Sequence, residues 1–273
     1  MLEQSHSYLM ENLEESFRLE LKTDPVMVRK QARWCGLKPG LRVLDVGCGP
    51  GKTSAILFDM IQPDGELIGL DFSQERINYA VRNYGGRSGL EFKVHDFTGP
   101  LDGVGTFDVI WVRFFLEYYR KEGPEIVRNL TQLVKPGGYL CLMDLDHNCL
   151  NHFEMPSRME RTLFELISIL EEKYNFDPYA GRKLYSYLYD LGYKQIQMDL
   201  VAHHLVYGTL KEVDFYNWIK KAEVATVKAC EVFKNYPGGS NGFFRDFMRF
   251  FNDPRRFTYT PLILCKGMKP QRD

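Results

Sequence analysis

No run of about eighteen apolar residues occurs in this chain, so the sequence offers no membrane-spanning helix. Nor is there an excess of one charge: 35 lysines and arginines against 36 acids leave a net charge of −1. That argues against general electrostatic attraction to nucleic acid or to an anionic membrane. The cysteines (Cys35, Cys48, Cys141, Cys149, Cys230 and Cys265) form no CxxC pair and no disulfide-like spacing. Cys141 and Cys265 sit in apolar runs, and reduced, buried thiols in a cytoplasmic protein are the expectation. The opening stretch MLEQSHSYLMENLEES lacks the basic start and apolar centre of a secretion signal. Internal repeats and low-complexity segments are also missing. The 273 residues are enough for one large α/β domain, or for a domain with a lid.

What the chain does have is concentrated in Val43 to Gly51, VLDVGCGPG. The segment reads as a short buried strand (Val43, Leu44, Val46) that carries an acid, Asp45, and runs into a glycine-rich turn and a helix. A second apolar run, LIGLD, ends in Asp71, 20 positions after Gly51. Strand, glycine turn, helix and a second strand ending in an acid make a nucleotide-binding βαβ unit. Glycines let the backbone approach a ligand closely, and the helix N-terminus offers unpaired N–H groups.

The dinucleotide fingerprint G-x-G-x-x-G uses its third glycine for close helix–strand packing and sets a pyrophosphate on the helix dipole. Here the glycines are Gly47, Gly49 and Gly51, and Lys52 takes the third-glycine position. A carboxylate beside the loop, Asp45, would repel a pyrophosphate and suits a ligand that carries a cation. In these features the sequence closely resembles the class I S-adenosylmethionine-dependent methyltransferases. The match continues through Leu70-Asp71-Phe72-Ser73, His95-Asp96-Phe97, Phe107-Asp108-Val109-Ile110 and Leu133-Val134-Lys135-Pro136-Gly137-Gly138, covering roughly residues 42–146. The helical N-terminus and the VRFFLEY segment resemble the ubiquinone/menaquinone C-methyltransferase-like branch best.

Along the chain, two short helices are expected within 5–35, with Leu9, Leu13, Phe17 and Leu21 recurring every fourth position and Pro25 opening the second. Strands at 42–46, 66–71, 91–95, 107–112 and 139–145 alternate with helices from Gly51 to about Ile61, at 74–83 and at 123–133. This alternation predicts a parallel, doubly wound α/β sheet with helices on both faces. Further helices are expected at 153–174, 180–191, 210–235 and 241–251, with strands at 194–201 and 257–266. The resemblance implies a Rossmann-like sheet of seven strands, the last antiparallel. The organisation expected is a helical cover over 1–36 and a methyltransferase domain over 37–273, with helical insertions at about 150–180 and 205–252.

The resemblance also assigns roles. It implies S-adenosyl-L-methionine as cofactor and S-adenosyl-L-homocysteine as product. Gly47, Cys48, Gly49 and Gly51 would shape the loop under the methionine and ribose. Asp45 would meet the cofactor ammonium, the alternative being a cap on the next helix. Asp71 would take the ribose hydroxyls, with Phe72 on the adenine face and Asp96 with Phe97 at the adenine amine. Arg113 would face the cofactor main chain and the acceptor, or else pair with Glu117 one helical turn on. Glu15, Arg18, Glu20, Tyr8 and Arg29 are weaker candidates, from relatives whose N-terminal helix folds over the cofactor.

Methyl transfer from a sulfonium needs positioning more than covalent help, although a hydroxyl or acidic carbon acceptor gains from a general base. His147 is the preferred base, with Asp146 beside it, because imidazole titrates near neutrality. Asp144, His152, His203 and His204 are further candidates. D-x-D-H-N invites a magnesium reading, but no metal site is assigned. The aromatic residues Phe114, Phe115, Tyr118, Tyr119, Trp218, Phe243, Phe244, Phe247, Phe250 and Phe251 suggest a largely apolar acceptor pocket, and exposed ones among them are compatible with a homodimer. The acceptor expected is a small, apolar or aromatic molecule. The competing readings are a catalytically silent binding protein, an RNA methyltransferase and an NAD(P) enzyme. Near-zero charge and Val112-Arg113-Phe114-Phe115 in place of an N/D-P-P-Y/F motif weigh against the RNA reading.

Overall fold

The computed structural model describes residues 15–99, 101, 103–148 and 150–271. Tyr8, Leu9 and Leu13 lie outside these. Helices α1 (Glu15–Lys22) and α2 (Pro25–Cys35) come first. The second is well bounded: Asp24 caps it by accepting from the Val26 N–H at 2.8 Å, Pro25 takes the first turn, and left-handed Gly36 ends it. On α1 the expected apolar stripe faces outward, with Phe17 at 55% and Leu21 at 44% exposure, while Glu15 and Arg18 are buried. The reason is an internal pair, Arg18 Nε to Glu15 Oε2 at 2.8 Å, which the Asn217 carbonyl completes at 2.6 Å from Nη1.

The alternating part follows: β1 (Arg42–Val46), α3 (Lys52–Met60), β2 (Glu66–Asp71), α4 (Gln74–Tyr84), β3 (Leu90–Val94), β4 (Phe107–Arg113), α5 (Gly123–Leu133) and β5 (Val134–Leu145). These five strands are parallel, in the order β3-β2-β1-β4-β5. Period-two alternation sends Leu44, Ile110 and Leu142 to one face, against α5, and Val43, Val109 and Met143 to the other, against α2 and α3. Buried on both faces, the strands read as continuous apolar runs.

The rest comprises β6 (His152–Phe153), α6 (Ser157–Lys173), α7 (Leu184–Asp190), β7 (Lys194–Tyr207), α8 (Glu212–Lys228), α9 (Gly239–Asn252) and β8 (Phe257–Met268). Strand β8 lies antiparallel to β5 and to β7. Among the described residues the sheet has eight strands, where the resemblance implies seven. The extra one is β6, a 2-residue strand paired with Phe257 and Thr258 of β8. Strand β7 runs past its expected end at 201 to Tyr207, and the helix expected over 210–235 stops at Lys228, giving way to a 3-10 turn over Cys230–Asn235. Helices α6, α8 and α9 enclose a separate aromatic core that includes Trp218, Phe243, Phe247 and Phe251.

Candidate active site

The strand order reverses between β1 and β4, and open α/β sheets place ligands at such a point, beyond the carboxyl ends of the strands. A cleft of about 540 Å³ opens there, within the usual size range of small-molecule sites. Its floor is the glycine turn, which two hydrogen bonds fasten to β2: the Gly47 and Cys48 N–H groups donate to the Leu70 carbonyl at 2.8 and 2.9 Å. Gly47 has φ +70°, and a Cβ there would lie 2.6 Å from the Phe115 ring. Gly51, at φ +90°, would bring a Cβ within 2.8 Å of the Ala80 methyl. Gly51 thus supplies the close packing that a dinucleotide fold obtains from its third glycine. That leaves Lys52 available to tie α1 to the loop, which it does by donating its ammonium to the Glu20 carbonyl at 2.6 Å.

Two buried carboxylates flank the turn. Asp71, at the tip of β2, receives the Gly49 N–H on Oδ2 at 2.9 Å, and on Oδ1 the Ser73 N–H at 3.0 Å and Arg76 Nε at 3.1 Å. A carboxylate has about four lone-pair sites, so Oδ2 keeps acceptor capacity after holding the loop. Asp45 is 2% exposed and accepts from the Ser54 hydroxyl at 2.6 Å. It does not cap α3, whose N-cap is Gly51. Burial pushes the Asp45 carboxyl up to about 7, against the downward pull of the Ser54 hydrogen bond and of Arg113.

Arg113, the last residue of β4, faces these acids. Its Nε is buried without a hydrogen-bond partner, and its guanidinium lies 4.1 Å from the Phe114 ring centroid. Burial draws its pKa down to about 10, opposed chiefly by Asp45 and Asp144. The alternative partner, Glu117, accepts instead from Asn148 Nδ2 at 2.7 Å. Asp144, buried under the turn after β4, accepts the Phe115 and Glu117 N–H groups at 3.1 Å each. It therefore shapes the segment that presents Arg113, Phe114 and Phe115. Phe115 stands edge-on to Phe97 (4.8 Å between centroids) and against Tyr119 (4.6 Å), forming an aromatic wall.

Of the residues expected at the site, Asp45, Gly47, Cys48, Gly49, Asp71, Phe72, Phe97 and Arg113 line the cleft, and Gly51 shapes it from behind. Asp96 is exposed, its carboxylate turned to the Thr98 N–H and hydroxyl at 2.9 and 2.8 Å, and it is not on the lining. The expected catalytic pair is elsewhere too. Asp146 is gripped by Arg182 at 2.7 and 2.9 Å, and His147, at φ +47°, sets its ring edge-on to Tyr179 at 5.1 Å. Neither lines the cleft wall. His152 bonds to Thr258 inside the aromatic core. His203 and His204 are both held well below the usual imidazole range, first by burial, and neither lines the cleft. The cleft gains Leu19 of α1 and Thr23 just after it, and not Glu15, Arg18 or Glu20; Arg29 is also off the lining. Among the described residues no group of three or more His, Cys, Asp or Glu could hold a metal ion.

Sequence reasoning missed Ser54 and Arg76, while Phe115 and Tyr119 stood only among the aromatic residues expected around a pocket. Arg76 alone had a signal, since its place in the first turns of α4 sets it above the end of β2.

This donor set fits an adenosyl amino acid: two acids for an ammonium and hydroxyls, an unpartnered guanidinium for a carboxylate, and aromatic faces for a base. A methyltransferase-domain family model matches residues 37–215. The chain belongs to the class I S-adenosylmethionine-dependent methyltransferases. Within this family, it is 35% identical over 109 residues to phosphoethanolamine N-methyltransferase 1 of Triticum aestivum, covering 40% of this chain and 21% of the wheat protein. The matches to the wheat and Arabidopsis thaliana relatives thus span about a fifth of those proteins. Demethylmenaquinone methyltransferase of Lactococcus lactis is 27% identical over 113 residues, 40% of this chain and 43% of that protein. Haemonchus contortus phosphoethanolamine N-methyltransferase 2, solved with phosphomonomethylethanolamine and S-adenosylhomocysteine, superposes with a TM-score of 0.62 at 13% identity. That match covers 97% of this chain and 61% of that one, and at this identity it speaks for the fold alone.

Proposed function

We propose that this methyltransferase moves a methyl group from S-adenosylmethionine to a small molecule with an apolar body. The observation that carries the reading is the pairing of two buried carboxylates with an unpartnered arginine around one glycine turn. Asp45 would receive the cofactor ammonium, Asp71 Oδ2 the ribose hydroxyls and Arg113 the carboxylate, with Phe72, Phe97 and Phe115 beside the base. Bound there, the cofactor supplies a sulfonium methyl, an electrophile that needs no further activation. The protein's part is to align the acceptor and exclude water, which supplies much of the rate in such displacements. The absence of Asp146 and His147 from the cleft lining supports a mechanism of positioning.

The aromatic core beside the cleft supports the apolar acceptor, and near-zero net charge supports a small molecule over a nucleic acid. Residues 37–273 would then form the catalytic unit, with 1–36 as its cover, working in the cytoplasm. Exposed Leu200 and Tyr207 on the edge strand β7 (64% and 65%) support a homodimer, which light scattering tests. An NAD(P) enzyme fits less well, because Asp45, buried beside the glycine turn, would oppose a pyrophosphate. Calorimetric titration with S-adenosylhomocysteine and with NAD is the test. Micromolar binding of the first and none of the second is expected; the reverse overturns the reading.

A further inference from the structure

Lys22, the last residue of α1, sits where the cofactor cleft meets a second cavity of about 90 Å³. Its side chain lines the second cavity, while the next residue, Thr23, lines the cleft, and Tyr118 lines both. The Lys22 nitrogen stands 4.8 Å over the Phe114 ring, and the Arg113 guanidinium lies 4.1 Å from the same ring. Phe114 and Arg113 both belong to the cleft wall. Lys22 is therefore at the end of the cleft where the amino-acid half of the cofactor would bind, on the side facing the cavity. The rest of that cavity is largely apolar, with Leu166, Ile167 and Leu170 of α6, Trp218 of α8 and Phe247 of α9 in its wall.

Among the described residues no hydrogen bond or ion pair engages the Lys22 nitrogen. The charged and titratable groups that face it are Lys221 of α8, Arg18 of α1, Arg113 of β4, Glu117 after β4, and His203 and His204 of β7. Burial is the leading cause that draws Lys22 down to about 7, because removal from water disfavours the ammonium and spares the neutral amine. A lysine that sheds its proton near neutrality is suited to general-base work. Its rivals are placed less well. Asp146 and His147 line neither space, and Glu117, on the cavity wall, already accepts from Asn148 Nδ2 at 2.7 Å.

From this juxtaposition of an unengaged amine, an apolar cavity and the cofactor cleft we infer that Lys22 is the general base of the reaction and that the acceptor is an uncharged weak acid. The inference rests on the proposed methyl transfer and names its base and acceptor class. The acceptor enters without charge, since an ion would lose its hydration in an apolar space. At the shared wall its acidic O–H or C–H meets the Lys22 amine. The acceptor atom forms a bond to the methyl carbon, the carbon–sulfur bond breaks with its electron pair left on sulfur, and the acceptor's proton passes to Lys22. The resulting ammonium returns that proton to water as the product leaves. Proton transfer thus adds to the rate that alignment provides.

The test uses the full chain, S-adenosylmethionine and two probe sets, 4-substituted phenols and 1,3-diketones. Methylated product is expected from one set by mass spectrometry, and that set identifies the acid as oxygen or carbon. With the accepted probe, kcat rises with pH and levels off above about 7. Lys22→Met and Lys22→Arg each lower kcat at least a hundredfold, in the range for loss of a general base, and abolish the inflection. Ethylamine raises the rate of Lys22→Ala at least tenfold and leaves the parent unchanged. All three variants bind S-adenosylhomocysteine within twofold of the parent. A further readout needs no methyl transfer: in the S-adenosylhomocysteine complex, the parent and not Lys22→Met ionises the accepted probe. It is seen as phenolate absorption from 4-nitrophenol, or as deuterium uptake at the central carbon of pentane-2,4-dione. No product from either set, an inflection that survives in Lys22→Met or Lys22→Arg, or a loss in Lys22→Ala that ethylamine does not relieve overturns the inference. Failure of the parent to bind S-adenosylhomocysteine overturns instead the methyltransferase reading on which it rests.

Discussion

The Ser54 hydroxyl donates to Asp45 at 2.6 Å inside a wall where burial holds the Asp45 carboxyl near neutrality, at about 7. Because this folded value lies above that of an exposed aspartate, the folded chain keeps a proton that the unfolded chain has released. Stability therefore falls as pH rises from about 4 toward 7. Asp45→Asn abolishes this dependence and raises the melting temperature at pH 8 more than at pH 5. The carboxylate is the form that meets a cation, so S-adenosylhomocysteine affinity drops as pH falls below about 7, and the Asn variant is weak at every pH. Thermal melts and calorimetry across pH 5–8 check both.

Asp71 and Arg76 form a buried pair with side chains 7% and 4% exposed. Asp71→Ala strands the guanidinium and costs about 3–5 kcal/mol of stability, the range for breaking such pairs from one side. Adding Arg76→Met recovers most of that loss without restoring cofactor affinity. Denaturant melts report the first effect and calorimetry the second. A double variant with normal affinity would place the ribose elsewhere.

At Gly51 a methyl group meets Ala80 at 2.8 Å, with φ at +90°. Gly51→Ala costs about 1–3 kcal/mol through backbone strain alone, and the clash adds to it. Ala80→Gly relieves the clash and leaves the strain, so the double variant recovers part of the melting temperature only.

His147→Ala, measured with any accepted substrate, leaves kcat within about twofold of the parent, because the ring packs on Tyr179 away from the cleft wall. A hundredfold loss, in the range general-base removal gives, would mean that the loop after β5 swings toward the acceptor during turnover.

The central sheet was legible because its signals are local. Continuous apolar runs bounded by Pro-Asp-Gly and Pro-Gly-Gly turns mark each parallel strand, and the glycine turn with Asp45 and Asp71 marks the cofactor edge. What escaped depends on partners distant in sequence. Strand β6 has 2 residues and exists only because β8 offers an edge. The outward stripe of α1 reflects Arg18 reaching Asn217, a partner 199 positions away. Residues 146 and 147 have suitable chemistry, but Arg182, 36 positions on, holds Asp146, and the left-handed φ at His147 leaves no mark in composition or spacing.

Lys52 performs two jobs with one side chain. It lines the cofactor cleft, and its ammonium, bonded to the Glu20 carbonyl, moors the amino-terminal helix. A lineage drifting toward another coenzyme by losing that lysine would unroof its own binding site in the same step. Coenzyme loyalty in this enzyme is thereby locked to its architecture.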